Sequence, residues 1–293
     1  MNKNYIKPFI AILIAGFLGA IQGTFVKIAV REIPPFSFTF IRFFLASIIM
    51  LPFFLKEKFL LKKGLVIMFL ISLLGTVNVV FYAFGVRLTD VNIGAVLYTA
   101  VPIITAILSF LVLQENLNVR KITGILFGFI GTLFIIFLPF INKTLIYKGN
   151  FIGNLLIFIG VLSFSFYSVL SKKNYFKYSP LGLTTLLMIT SAFTTSIFTL
   201  VDIKTQPGWW SLVTVTGIIS TLLVVLSTVG FYFLYQYAIK HGTPLIASMS
   251  LYIQPVATFI LAGFFLGERL TLIFIIGAVL TFIGAWMVTM RKY

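Results

Sequence analysis

"LGERLTLIFIIGAVLTFIGAWMV", residues 266–288, repeats an earlier stretch, "LQENLNVRKITGILFGFIGTLFI", residues 113–135. Glu115 falls on Glu268, Leu117 on Leu270, Gly124 on Gly277 and Gly131 on Gly284, each at an offset of 153. Carried upstream, the same register sets Tyr82 on Tyr235, Pro102 on Pro255 and Thr105 on Thr258. From 82 to 135 the copies share 14 identical residues in 54 positions. Shared Leu, Ile and Phe mean little in so apolar a chain. The weight rests on Tyr, Pro, Glu and Gly, which an apolar environment does not select. An internal repeat fixes architecture before any other signal does.

The environment follows from composition. Of 293 residues, 60% are hydrophobic and 10% charged, with 34 Phe. Soluble domains carry about 25% charged residues, and no soluble fold of this length could hide so much apolar surface. The solvent for most of this chain is therefore lipid. Ten apolar runs are long enough to span a bilayer, near 8–30, 36–55, 64–86, 92–113, 119–140, 150–171, 180–201, 209–236, 243–266 and 270–290. Lys3 and Lys7 before the first run resemble a signal peptide, but that run is too long for one and nine more follow. The expected fold is an all-α integral membrane protein of ten transmembrane helices, with a first five-helix repeat over 1–145 and a second over 146–293. Five is odd, so the two repeats would enter the membrane in opposite senses. Inverted repeats of this kind are common in secondary transporters, whose sites lie near mid-membrane between the halves.

Net charge is +16, yet the bases are dispersed through short loops and form no stripe for nucleic acid. With the N-terminus in the cytoplasm, 14 Lys and Arg fall on the inner side. Seven fall outside: Lys27, Arg31, Arg87, Lys143, Lys148, Lys204 and Arg269. The remaining base, Arg42, lies within a span. Positive charge collects on the cytoplasmic side, so both termini are expected to be cytoplasmic.

The stretches "YAFGVRLTDVNIGAVLYTAVPIITAILSFLVLQENL" (82–117) with "GILFGFIG", and "YQYAIKHGTPLIASMSLYIQPVATFILAGFFLGERL" (235–270) with "GAVLTFIG", carry a family resemblance. The chain resembles the drug/metabolite transporter superfamily, in its EamA-type ten-helix branch. "FTFIRFFLA" (38–46) is similar to that family's second helix, where an Arg is usual. The resemblance covers essentially the whole chain. It implies a bacterial cytoplasmic-membrane exporter of amino acids or other small metabolites. Two departures are the "QENL" where Gly-Glu is usual and the lack of a Trp in the first helix near 19–27.

Polar residues at span depth are the candidates for a substrate cavity: Gln22, Asn78, Tyr82, Tyr98, Thr99, Tyr167, Tyr232, Tyr235, Tyr252 and Gln254. Ser163 and Gln236 lie at similar depth. Pro102 and Pro255 fall near the middle of the fourth and ninth spans, where a proline frees a carbonyl four residues back. Such a carbonyl needs a partner or a wet cavity. Lys27 and Arg42 are the bases to watch. Arg42 lies six residues into the second run, roughly 9 Å along the helix axis, and intramembrane charges usually face a wet interior. The two could attract a substrate carboxylate, though Lys27 could equally snorkel to the surface. Glu115 and Glu268 are expected to favour the positive end of the helix that follows each. Small residues at Ala11, Ala15, Gly19 and Gly23, and at Gly124, Gly128, Gly131, Gly277 and Gly284, suit close helix packing within a monomer or along a homodimer seam.

No catalytic constellation is visible. The chain has no Cys and one His, His241, which excludes thiol chemistry and a His-built metal site. No cofactor and no enzymatic activity are expected. The partners expected are a small-molecule substrate and the bilayer. A channel is the competing class, but channels usually carry a charged ring or a carbonyl filter. The six acids, Glu32, Glu57, Asp90, Glu115, Asp202 and Glu268, all fall in loops or at span ends. No carboxylate sits at mid-depth to carry a proton, so a facilitator or exchanger is expected, unless Glu115 or Glu268 couples from the membrane face.

Overall fold

The computed structural model describes residues 3–56, 64–137, 149–174, 179–270 and 272–289. Their order is α1 (Lys3–Glu32), α2 (Pro35–Lys56), α3 (Leu65–Leu88), α4 (Val91–Tyr98), α5 (Val101–Leu113), α6 (Val119–Ile136), α7 (Phe151–Lys173), α8 (Pro180–Thr205), α9 (Val215–His241), α10 (Pro244–Ser248), α11 (Ser250–Leu266) and α12 (Leu272–Thr289). A short 3₁₀ turn, Trp209–Leu212, precedes α9, which trims the eighth span from its sequence-based start. Among the described residues nine stretches are long and apolar enough to cross a membrane, and α12 adds a shorter one, Phe274–Val288. Two of the nine are broken helices: α4 with α5, and α10 with α11.

Helix starts follow the local chemistry. Asn118, Asn150, Ser179, Thr214 and Thr243 each cap the helix behind them with a side-chain oxygen, the residue types best suited to that position. The starts at Val91 and Ser250 have no cap from their own preceding side chain.

The principal pairings are α1 with α9, α3 with α7, α2 with α8, and α6 with α12. Exchanging the halves swaps α1 with α7, α2 with α8, α3 with α9 and α6 with α12. The first two pairings then change places and the last two map onto themselves. The repeat written in the sequence is thus also a repeat in packing. The α6–α12 contact depends on glycine: a Cβ on Gly131 would lie 2.5 Å from the Thr281 backbone nitrogen, and one on Gly284 would strike the Gly124 and Gly128 backbone. In α1, Gly19 faces Gln254 and Phe231, and Gly23 faces Tyr82 and Val91. These small-residue faces are occupied within the chain. Outward-facing Leu126, Ile130, Ile276, Ile283 and Phe264 leave an apolar belt exposed, as a lipid solvent permits.

The two prolines behave differently. The fourth span breaks at Thr99–Ala100, and Pro102 sits at the second position of α5, where a missing N–H costs nothing. Thr99 and Ala100 turn back onto Val96 and Leu97 in a tightened turn. Pro102 therefore starts a helix rather than kinking one. Pro255 lies inside α11, six residues after the break at Met249.

Candidate functional site

A small cavity of about 40 Å³ lies where the halves meet. Six of its side chains come from the first half, Gln22, Arg42, Asn78, Val79, Tyr82 and Tyr98, with Gly19 and Gly23 opening space on α1. Phe164, Phe231, Tyr232 and Gln254 come from the second. The polar members are all buried. The volume is room for about three waters, too little for an organic solute without some opening.

Arg42 is 3% exposed. Its Nε donates to Thr228 Oγ1 at 2.6 Å, and its Nη2 donates to Gln22 Oε1. Thr228 passes its own proton to Val224 O, and Gln22 donates Nε2 to Ser227 O at 3.1 Å. Both acceptors are thereby fixed in orientation, and with them the guanidinium. The phenols that act on it electrostatically are those of Tyr232, Tyr82 and Tyr98. Asn78 donates to Tyr98 Oη at 2.5 Å and to Gly160 O at 2.9 Å, and accepts from Tyr232 Oη at 3.5 Å. Tyr82 packs edge-on against Tyr98, and its hydroxyl is buried without a hydrogen-bond partner.

Two separate sets of contacts flank the cavity. At one end Glu268, in the loop after α11, accepts from Val91 N at 2.8 Å and Asn92 N at 3.0 Å. It caps α4, from the opposite half, a partner that the expectation from sequence did not include. Burial, then the nearby Asp90 carboxylate, push its carboxyl up to about 7, against the lowering pull of the two N–H groups and Lys27. Lys27 donates to Thr89 O at 2.6 Å, so it belongs to this closure and not to the cavity. Further out, Asp202 accepts from Ser37 N at 2.6 Å and Glu32 accepts from Thr214 N at 2.8 Å. At the other end, Tyr167 Oη accepts from Gln236 at 2.5 Å and Ser168 bonds Tyr235 Oη at 2.9 Å. Lys172 donates to Ile239 O and Gly242 O at 3.0 and 2.8 Å.

Of the sequence candidates, Gln22, Arg42, Asn78, Tyr82, Tyr98, Tyr232 and Gln254 line the cavity. Tyr167 and Tyr235 lie in the buried network beyond it. Thr99 bonds its own turn through Val96 O, and Pro102 and Pro255 are buried in the helices. Tyr252 is half-buried against Phe282, away from the cavity. Phe164, Phe231 and Val79 also line the cavity and carried no signal, because nothing in sequence separates two cavity Phe from 32 others.

A bundle of long apolar helices around a buried polar cavity fits a polytopic membrane protein. The chain belongs to the EamA-like transporter family, whose model matches it twice, over residues 6–137 and 151–290. It is 30% identical over 285 residues to the uncharacterized transporter YyaM of Bacillus subtilis, covering 94% of this chain and 92% of that one. It is 24% identical to a second Bacillus subtilis protein, the uncharacterized transporter YoaV, over 97% of each chain. An uncharacterized transporter of Archaeoglobus fulgidus is 25% identical over 98% of this chain and all of that one. A solved crystal structure, described only as that of a protein, superposes with a TM-score of 0.63 at 17% identity over 95% of this chain and 96% of that one, a likeness of fold.

Proposed function

We propose that this membrane transporter is a secondary carrier that exports amino acids or other small metabolites across the bacterial cytoplasmic membrane by alternating access. Its two five-helix halves, 1–145 and 146–293, cross the membrane in opposite senses, with both termini cytoplasmic. The observation that carries the reading is the buried polar cavity built from residues of both halves and flanked by two separate sets of contacts. A carrier needs a site that two gates can seal in turn, whereas a channel needs a continuous path. The 14-to-7 charge bias supports a cytoplasmic Glu115 end and an external Glu268 end.

The test is counterflow in liposomes holding the purified protein. A labelled solute should accumulate transiently against an excess of its unlabelled form inside. Steady flux without saturation or counterflow favours the channel or a passive facilitator with a channel-like path. Stimulation by structurally unrelated cationic drugs favours a multidrug exporter. Reporter fusions after residues 145 and 175 should read outside and inside, and the reverse result removes the inverted repeat.

A further inference from the structure

We infer that the cavity's substrate is a small organic anion with an apolar body, bearing one oxyanion group and no ammonium group. The inference rests on the carrier reading and narrows its substrate class to the small metabolites other than amino acids. It begins with charge. Arg42 is the one cationic side chain among the lining residues, and none of them is a carboxylate. Its two hydrogen-bond acceptors, Gln22 and Thr228, are neutral. A guanidinium held out of water without a counter-ion is costly, and the cost falls when an anion supplies the missing charge. The fork geometry of Arg suits a carboxylate or similar planar oxyanion better than a point charge would.

Donor arithmetic points the same way. Arg42 offers five N–H groups, and the described structure occupies two of them. Tyr98 Oη accepts from Asn78, which leaves its own proton to give. Tyr82 Oη is buried with no partner and is also free to donate. The open positions around the guanidinium are therefore mostly donors. Acceptors are few: the Tyr82 and Tyr232 oxygens and the Gln254 carbonyl, none of them charged. An ammonium group would meet Arg42 without a carboxylate to hold it. The remaining wall is Phe164, Phe231, Val79 and Gly19, which suits an aryl or alkyl body. The cavity must widen to admit such a body, as a carrier's opening would allow.

Charged probes of matched size separate the outcomes: benzenesulfonate and phenylacetate as anions, benzyltrimethylammonium as a cation, and phenylalanine as a zwitterion. Thermal stability of the purified protein and counterflow of benzenesulfonate and of benzyltrimethylammonium in liposomes are the two readouts. The anions alone should stabilise the protein, and benzenesulfonate alone should show counterflow. Arg42→Gln should weaken anion binding by about tenfold to a hundredfold, the loss of one or two charge-assisted hydrogen bonds. The Arg42→Gln protein without ligand should melt no lower than the parent, which separates lost binding from lost folding. Arg42→Lys should keep the preference for anions at reduced affinity. Equal or better binding of the cation or the zwitterion overturns the inference and leaves the carrier standing. Anion binding that survives Arg42→Gln also overturns it. If no probe of either charge binds or moves, the inference fails and the carrier reading loses its support from this cavity.

Discussion

The two ends of the bundle use related parts to different effect. At both, a helix terminates on a left-handed residue, Gln114 (φ 57°) or Gly267 (φ 66°), followed by a glutamate. The backbone N–H of that glutamate bonds six residues back, Glu115 to Ser109 O and Glu268 to Ala262 O. At both, a lysine from the first helix of a half bonds an equivalent carbonyl, Lys27 to Thr89 O and Lys172 to Gly242 O. The difference lies in what the glutamate finds. Glu268 meets two free N–H groups at the start of α4. At the position equivalent to Val91 the other half has Pro244, which has no N–H to give, and Thr243 already caps Ile246 N. Glu115 instead acts electrostatically on Lys172. One proline thus turns a tight tie between the halves into a looser one. The Glu115 end is the one expected to open first, which in the proposed topology suits loading from the cytoplasm.

The strongest test of that asymmetry is a pair of substitutions. Glu268→Ala removes two charge-assisted bonds, a loss of about 2–4 kcal/mol from the closed Glu268 end. Glu115→Ala should cost less than about 1 kcal/mol, as for a half-buried charge pair still screened by solvent. Impermeant thiol labelling of a cysteine placed beneath each gate would show it: access rises sharply in the first variant and little in the second. Equal changes would remove the contrast.

Acidity should act on the Glu268 end. In the closed state the Glu268 carboxyl is held up at about 7 against an ordinary value of 4.5. The closed form therefore binds the proton more tightly than an opened, solvated form. Closure is favoured as pH falls through 7 toward 4.5, and opening as pH rises through the same window. The charged neighbours Asp90 and Lys27 sit in the same closure, and Tyr82 lies below it. Access through this end should drop roughly tenfold or more between pH 8 and pH 5, and the drop should vanish in Glu268→Gln. A rise on acidification would mean that protonation releases the contact instead.

The lysines are expected to matter less and more evenly. Lys27→Met and Lys172→Met should each loosen their own end by about 1–2 kcal/mol, one charged hydrogen bond or two. Either variant loosening the far end would show that the two closures are not separate. Smallest is the backbone contrast. Gln114 holds a conformation that suits glycine, so Gln114→Gly should stabilise the protein by about 1 kcal/mol, while Gly267→Ala should destabilise it by a similar amount. Thermal denaturation of the two variants reads both signs.

Much of this was legible in the sequence. Run lengths and composition define the spans, and the spacing of Tyr, Pro, Glu and Gly exposes the repeat whose packing the fold repeats. Arg42, Gln22 and Asn78 stand out because polar groups at span depth need partners. The position of the Glu268 contact was not legible, because its partners, Val91 and Asn92, contribute backbone N–H groups and lie 177 and 176 positions away. Nor was the role of Pro102, since sequence marks where a helix loses a bond and not whether it kinks or restarts. Tyr167 and Tyr235 show the remaining limit: depth along a span is readable, but the layer between cavity and gate is set by packing.

Reciprocal access is the central claim, and the chain's lack of cysteine makes it directly measurable. Thr258 on α11 and Thr105 on α5 are equivalent residues, each with a buried hydroxyl lacking a partner. Thr258 lies near Gly23 below the Glu268 closure, and Thr105 lies on the Glu115 side. Thr258→Cys and Thr105→Cys, singly and together, should be treated with an impermeant maleimide in right-side-out and inside-out vesicles. Alternating access requires Thr258→Cys to react only from outside and Thr105→Cys only from inside. In the double variant, modification of one should protect the other, because a label wedged in one opening holds the opposite end shut. Independent labelling of both sites, or reaction of either from both sides, would contradict alternating access.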